Sequence, residues 1–195
     1  MVRVTKTALT ISKEEGADDF ICEMATLLHD VANEKLNASE AEGFAKLINF
    51  LDSQSLPVEM TEEILTIIQG ISFKGGHNQV ELPLEGRVVQ DADMLDALGA
   101  IGIARTMAYS GNKGRLIHDP NKQARENMTL EEYCNGEDTA IMHFYEKLLK
   151  LKDLMNTETG KRLAEQRYQF MLDYLEQFYA EWEGERKLNY RKEKN

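Results

Sequence analysis

The sequence predicts an all-α fold, arranged as a single-domain helical bundle. Only three prolines occur among 195 residues, and apolar residues recur at the 3.6-residue period of a helix rather than alternating as in a strand. The length suits one domain with a substantial buried core. We expect this domain to cover residues 1–185, followed by a charged tail over 186–195.

Helix boundaries are predicted from capping residues and from the apolar period. Gly16 is expected to stop the first helix, Ser39 with Glu42 forms a capping box, and Pro57 suits the first turn of a helix. The polar segment 111–127 is predicted to be a loop. The predicted helices extend over 4–15, 18–33, 39–51, 57–69, 84–109, 138–155 and 159–183, with a short additional helix capped by Thr129 and Glu132.

Charge and cysteine content restrict the function. The net charge of −11 argues against a partner that is polymeric nucleic acid or an anionic membrane, because both attract a basic surface. Cys22 and Cys134 belong to no CxxC pair, which favours reduced thiols. No apolar run approaches the ~20 residues of a membrane span. A cytoplasmic protein is therefore expected.

Two places in the sequence offer candidate metal ligands. His29 and Asp30 are adjacent near the end of the second predicted helix, and imidazole nitrogen with carboxylate oxygen suits Mn, Ni, Fe, Mg or Zn. Asp91, Asp93 and Asp96 interrupt an apolar run, where carboxylates are costly unless they are paired, hydrogen-bonded or bound to metal. The residues alone leave open which of these acids serves the core and which serves a metal ion.

Four segments, which together span nearly the whole chain, carry a resemblance to a known family. They are LLHDVANEKL at 27–36, ISFKGG at 71–76, VVQDADMLDALGAIGIART at 88–106 and HFYEKLLKLKDLMNTETGKRLAEQR at 143–167. The chain resembles the small bacterial HD-domain metal-dependent phosphohydrolases, and more closely their nucleotide pyrophosphohydrolase subgroup. This resemblance implies an HD/phosphodiesterase-like bundle and a divalent metal cofactor.

The family's metal motif is a first His, a His–Asp pair and a distant Asp. By resemblance the pair is His29 and Asp30, and the distant acid is Asp93. The first His should precede a hydrophobic-x-Arg-Val stretch, which here is residues 1–4, so its place falls immediately before Met1. We expect the true N-terminus to be longer.

The resemblance also implies roles for residues around the metal. Glu34, or Asn33 where the family usually carries an acid, would orient the attacking water. Lys74 and Gly75 are candidates to contact a substrate phosphate, and His77 is a candidate pocket histidine. Lys74 fits a solvated loop lysine equally well, and His77 needs no role as a surface residue. The implied substrate is a small phosphorylated molecule, a nucleotide, bound by a monomer or a homodimer.

Three functions remain open at this point. The first is a metal-dependent phosphohydrolase acting on a nucleotide or related phosphate ester, with pyrophosphohydrolysis of a nucleoside triphosphate as the specific reaction. The second is a catalytically impaired HD-domain protein that binds nucleotides or regulates, motivated by the absent first His and by Asn33. The third is a helical interaction protein without a site, which the acids in an apolar run argue against.

Overall fold

The computed structural model describes residues 1–33, 37–71, 81–125 and 139–184, and within these ranges it contains helices and no strand. The predicted all-α fold is confirmed. The helices are α1 (Val2–Glu15), α2 (Asp19–Leu28), α3 (Glu40–Ser53), α4 (Val58–Ile71), α5 (Leu84–Asp96), α6 (Gly99–Asn112), α7 (Ala140–Glu146), a 3-10 helix (Leu148–Leu154) and α8 (Glu158–Trp182).

Helix α5 lies at the centre of the bundle. It packs against α1, α2, α4 and α8. Its apolar face is completely buried at Val88, Val89, Ala92 and Leu95, and this burial is the main favourable contribution that holds the helix in place. The acidic residues of the apolar run therefore belong to the central element of the core.

Local capping signals place several helix ends correctly. Gly16 follows α1 with φ of 76°, a left-handed conformation that glycine adopts without steric cost. The Ser39 hydroxyl accepts a hydrogen bond from the Glu42 N–H at 3.2 Å, as the capping box predicts. The helix predicted over 159–183 is α8, and the Thr157 hydroxyl caps it by accepting from the Gly160 N–H at 2.9 Å.

Two predicted helices are wrong because they end early or break. The second ends at Leu28 rather than at 33, and a turn follows it. The helix predicted over 84–109 is divided into α5 and α6. Gly99 has φ of 69°, and a Cβ there would lie 3.1 Å from Cβ of Arg167, so the break combines a left-handed residue with close packing against α8.

The predicted helix over 138–155 is also wrong. Its place is taken by the short α7 and the 3-10 helix, which meet at Lys147 with φ of −134°. In the segment predicted as a loop from Gly111, α6 continues to Asn112. Non-helical backbone follows to Arg125, with turns at 113–114 and 120–121. The predicted cap at Thr129 and Glu132 and the tail over 186–195 lie outside the described residues. Within the described ranges, no helix combines the length and the hydropathy that a membrane crossing requires.

A buried ion pair attaches the segment after α6 to α7. The Glu146 carboxylate is buried and accepts hydrogen bonds from Arg125 through the backbone N–H at 2.9 Å, Nε at 2.9 Å and Nη2 at 3.0 Å. Burial alone would raise the pKa of Glu146, but the bonds from Arg125 outweigh it, and the pKa lies below its usual 4.5. The ionised carboxylate is therefore the form that the fold favours.

We expect the Glu146→Gln variant to lose about 2 kcal/mol of unfolding free energy at pH 7, because one partner of a buried pair is removed. The depressed pKa means that this contribution is complete above about 4.5 and is lost as pH falls through the lower folded value. Urea unfolding across pH 3–7 should show the wild-type and variant curves converging in acid. Glu42→Gln, which breaks the exposed pair with Lys46, should change stability little. A difference in unfolding free energy between wild type and Glu146→Gln that stays constant down to pH 3 would contradict this explanation.

Candidate metal centre

His29 is held in a defined orientation at the end of α2. Its backbone N–H donates to the Ala25 carbonyl at 3.0 Å, and its ring Nδ1 lies 2.8 Å from the Thr26 carbonyl oxygen. Because a carbonyl only accepts, Nδ1 carries the hydrogen, and the lone pair of the neutral ring is on Nε2. Metal-binding histidines commonly use one nitrogen in this way and present the other to the ion. The early end of α2 thus places a fixed imidazole Nε2 next to α5.

Two carboxylates face this nitrogen. The His29 Nε2 atom lies 3.7 Å from Asp30 Oδ1 and 3.8 Å from Asp93 Oδ1. These separations are too long for hydrogen bonds. Ligand atoms that share one ion at about 2.1 Å are separated by roughly 3.0 to 4.2 Å, from right-angled to opposite positions. The structure therefore places each of the two predicted carboxylate ligands beside His29 Nε2, at a separation that suits a shared cation.

Exposure and charge at the centre also suit a cation. The side chain of His29 is only 11% exposed, whereas those of Asp30 and Asp93 are 51% and 58% exposed. Partial burial raises the pKa of Asp93, and the carboxylates of Asp30 and Asp96 act in the same direction, against His29 and Arg105. A divalent ion between the carboxylates would offset this repulsion. The donor set fits such an ion and leaves it accessible from solvent.

The centre is incomplete in the described part of the chain. Among those residues, no group of three or more His, Cys, Asp and Glu side chains is gathered as a ready-made metal site. The two carboxylates each approach His29 Nε2. Further ligands would come from outside the described ranges or from water.

The remaining predicted site residues divide into two groups. Asn33 lies in the turn that follows α2, where its N–H donates to the Asp30 carbonyl at 3.0 Å and its own carbonyl accepts from Asn37 Nδ2 at 3.0 Å. It is exposed and stabilises the turn that carries Asp30. The other predicted residues, which are Glu34, Lys74, Gly75 and His77, lie outside the described residues.

Asp91 serves the core rather than the metal centre. Its carboxylate is fully buried and accepts four hydrogen bonds: Oδ1 from Asn156 N–H and Nδ2, each at 2.8 Å, and Oδ2 from Thr157 N–H at 2.8 Å and Oγ1 at 2.7 Å. A Cβ on Gly160 would lie 2.2 Å from Asp91 Oδ2, so only glycine fits there. Asp91 thus joins α5 to the N-cap of α8 and the residue before it.

Asp96 is paired with arginines. Its carboxylate accepts from Arg3 Nε at 3.0 Å and Nη2 at 3.1 Å, and it also accepts from Arg105 Nη1. Of the three acids whose roles the sequence left open, Asp91 and Asp96 are satisfied by protein groups, and Asp93 faces His29.

The partners of Asp91 and Asp96 were missed in the sequence. A carboxylate in an apolar run signals that a partner exists, but Arg3 and Asp96 are separated by 93 residues and Asp91 and Thr157 by 66. No periodicity links such positions. The local signal is Thr157 itself, a residue type that favours the N-cap position just before a helix.

Comparison with known proteins identifies the family. The chain matches the HD domain family over residues 1–98. It is 37% identical over 188 residues to the Bacillus subtilis protein YpgQ, covering 93% of this chain and 82% of that protein.

Solved structures extend the similarity to nearly the whole chain. An HD-superfamily hydrolase from Bacillus thuringiensis is 45% identical with a TM-score of 0.77, covering 93% of this chain and 83% of that one. The structure of Bacillus subtilis YpgQ in complex with ADP is 36% identical with a TM-score of 0.74, covering 92% and 83%. The chain therefore belongs to the HD-domain family and is related to the HD-superfamily hydrolases.

Proposed function

We propose that the protein is a metal-dependent phosphohydrolase that acts on a nucleotide, with residues 1–185 forming one HD domain. The observation that carries the proposal is the geometry around His29, whose Nδ1 is held by a backbone carbonyl while Nε2 faces Asp30 and Asp93. The cofactor is a divalent ion, one of Mn, Ni, Fe, Mg and Zn, since this ligand set suits each of them.

Residues of the chain would hold the metal ion and position the water and the substrate. A bound divalent ion supplies Lewis acidity at a phosphoryl oxygen and lowers the pKa of water. The Thr26 carbonyl keeps the lone pair of His29 on Nε2. Half-exposed Asp30 and Asp93 leave the solvent side open to substrate. Glu34 or Asn33 would orient the attacking water.

The phosphate contacts are assigned by resemblance. Lys74 and Gly75 bind substrate phosphate through an ammonium group and a backbone N–H that a glycine leaves accessible. His77 is a third candidate for substrate contact. The ADP complex of Bacillus subtilis YpgQ supports a nucleotide as the ligand, because that protein is 36% identical across 92% of this chain.

A cytoplasmic location is proposed from the low cysteine content. Burial, together with the neighbouring Glu85 carboxylate, raises the pKa of the Cys22 thiol to about 12. A thiol with so high a pKa is unreactive at neutral pH. We infer a reduced cytoplasmic protein that acts as a monomer or a homodimer.

The proposal is tested on the purified full chain loaded with Mn²⁺ and freed of unbound metal. Metal analysis should find about one ion per chain, and a panel of nucleoside mono-, di- and triphosphates should release phosphate or pyrophosphate only in the loaded state. Release of pyrophosphate with a nucleoside monophosphate would establish pyrophosphohydrolysis. A chain that binds nucleotide and metal but releases neither product would favour the regulatory alternative, which Asn33 motivates because an amide cannot act as a base. A chain that holds no metal would contradict the proposal.

A further inference from the structure

A cluster of arginines lies at the carboxyl end of α5, next to the metal centre. Asp96 is buried there, and Arg3 binds its carboxylate with two hydrogen bonds. Arg105 binds the same carboxylate through Nη1, which also donates to the Asp96 carbonyl at 3.1 Å. Although Asp96 is buried, the side chains of Arg3 and Arg105 are 59% and 55% exposed. The cluster therefore presents guanidinium groups to solvent.

The cluster has more positive charge than its structural role requires. Arg167 donates to the Leu95 carbonyl at the same helix end. Three guanidinium groups therefore stand against the carboxylates of Asp96 and Asp93, with an excess of one positive charge. Arg3 alone already binds both oxygens of Asp96. Arg105 uses only Nη1, and its Nε and Nη2 donors have no partner among the described residues. In a chain with a net charge of −11, such an excess marks a place for an anion.

The cluster is adjacent to the metal centre. Asp93 and Asp96 are three residues apart on α5, and side chains at that spacing are neighbours about 5–6 Å apart on the helix surface. The Arg105 guanidinium is near enough to act on the Asp93 carboxylate, whose pKa it lowers against the effect of burial. An anion bound beside Asp93 would thus lie within reach of Arg105.

We infer that Arg105, supported by Arg3, forms an anion subsite that binds a second phosphate group of the substrate while the first lies at the His29–Asp93 centre. A planar guanidinium with two unused donor positions suits phosphate oxygens, which it binds in pairs. The subsite selects molecules with linked phosphates over monophosphates. This selection rests on the proposed function, because it places the reacting phosphate at the metal centre.

The test compares Arg105→Gln with a matched control, Arg162→Gln. The first variant leaves Asp96 paired with Arg3. The control removes the same charge from an exposed pair with Glu14, which lies eleven residues from Arg3 and therefore about 16 Å along α1. The probe is inorganic pyrophosphate, titrated by calorimetry into the Mn²⁺-loaded chain. Arg105→Gln should weaken pyrophosphate binding about tenfold or more, while Arg162→Gln and the bound Mn²⁺ should be unchanged.

The outcomes distinguish an anion subsite from an ion pair that only stabilises the fold. They also distinguish failure of the subsite from failure of the proposed function. Wild-type affinity for pyrophosphate in Arg105→Gln, with or without a lowered thermal midpoint, would overturn the subsite. If the wild-type chain holds no Mn²⁺, the proposed function fails. Pyrophosphate is then titrated into the metal-free wild type and the metal-free Arg105→Gln variant. The variant should again bind pyrophosphate more weakly, and equal affinity would overturn the subsite. If Arg105→Gln does not fold, Arg105→Lys is used instead, because lysine keeps the charge and loses the paired donors. Several-fold weaker pyrophosphate binding by this variant supports the subsite, and unchanged binding overturns it.

Discussion

Replacing Asp93 with asparagine is expected to empty the metal centre and to lower phosphohydrolase activity about a thousandfold, which corresponds to about 4 kcal/mol of transition-state stabilisation. Asparagine keeps the shape of the side chain but offers a neutral oxygen to the ion that His29 Nε2 and Asp30 would share. The fold should not suffer. Because burial raises the pKa of Asp93, its ionised form is disfavoured in the metal-free folded state, and removing the charge relieves repulsion.

Metal analysis, initial rates and urea unfolding of the metal-free protein together check this prediction. The matched control is Asp173→Asn, which removes a carboxylate from the exposed face of α8, where its bond is to Gln169. The control should keep both metal and rate. If Asp93→Asn binds as much Mn²⁺ as the wild type, Asp93 is not a ligand and the proposed centre is wrong.

Helix ends were predictable where a capping residue acts locally, as at Gly16 and Ser39. The break between α5 and α6 was not, because the apolar period continues through Ala97 and Leu98. What ends α5 is the left-handed Gly99 packed against Arg167 of α8, a contact between residues 68 positions apart in the sequence. Periodicity reports the buried face of a helix and carries little information about a turn that a distant helix imposes.

The candidate site was likewise predictable from the sequence only in part. The resemblance named His29, Asp30 and Asp93, and the structure places Asp30 and Asp93 each beside His29 Nε2. Residue chemistry alone predicted that some acids of α5 would be satisfied inside the core, but it could not say which, because the donors to Asp91 lie on another helix. Burial cost predicts that a partner must exist; only the fold identifies it.

Asp91, two residues before Asp93, should respond to substitution in the opposite way. We expect Asp91→Ala to lower the unfolding free energy by about 4 kcal/mol and Asp91→Asn by about 2 kcal/mol, since each leaves buried donors without an acceptor. Four donors from Asn156 and Thr157 converge on this carboxylate. Metal content of the folded fraction should remain that of the wild type, because Asp91 has no contact with His29. Urea unfolding and metal analysis of the same samples provide the two measurements.

A second substitution tests the origin of that loss. Gly160→Ala introduces a Cβ whose position would lie 2.2 Å from Asp91 Oδ2 and 2.8 Å from Thr157 Oγ1, so it should destabilise the protein by displacing the same carboxylate. If the hydrogen bonds of Asp91 are the shared cause, the double variant Asp91→Ala/Gly160→Ala should be less destabilised than the sum of the two single variants. If the two losses of unfolding free energy add fully, the two residues act independently. The hydrogen bonds that join Asp91 on α5 to the start of α8 are then not the source of stability. Asp91→Ala should lose stability and keep the metal, whereas Asp93→Asn should lose the metal and keep stability. This pair of results would separate two roles on opposite sides of one turn of α5.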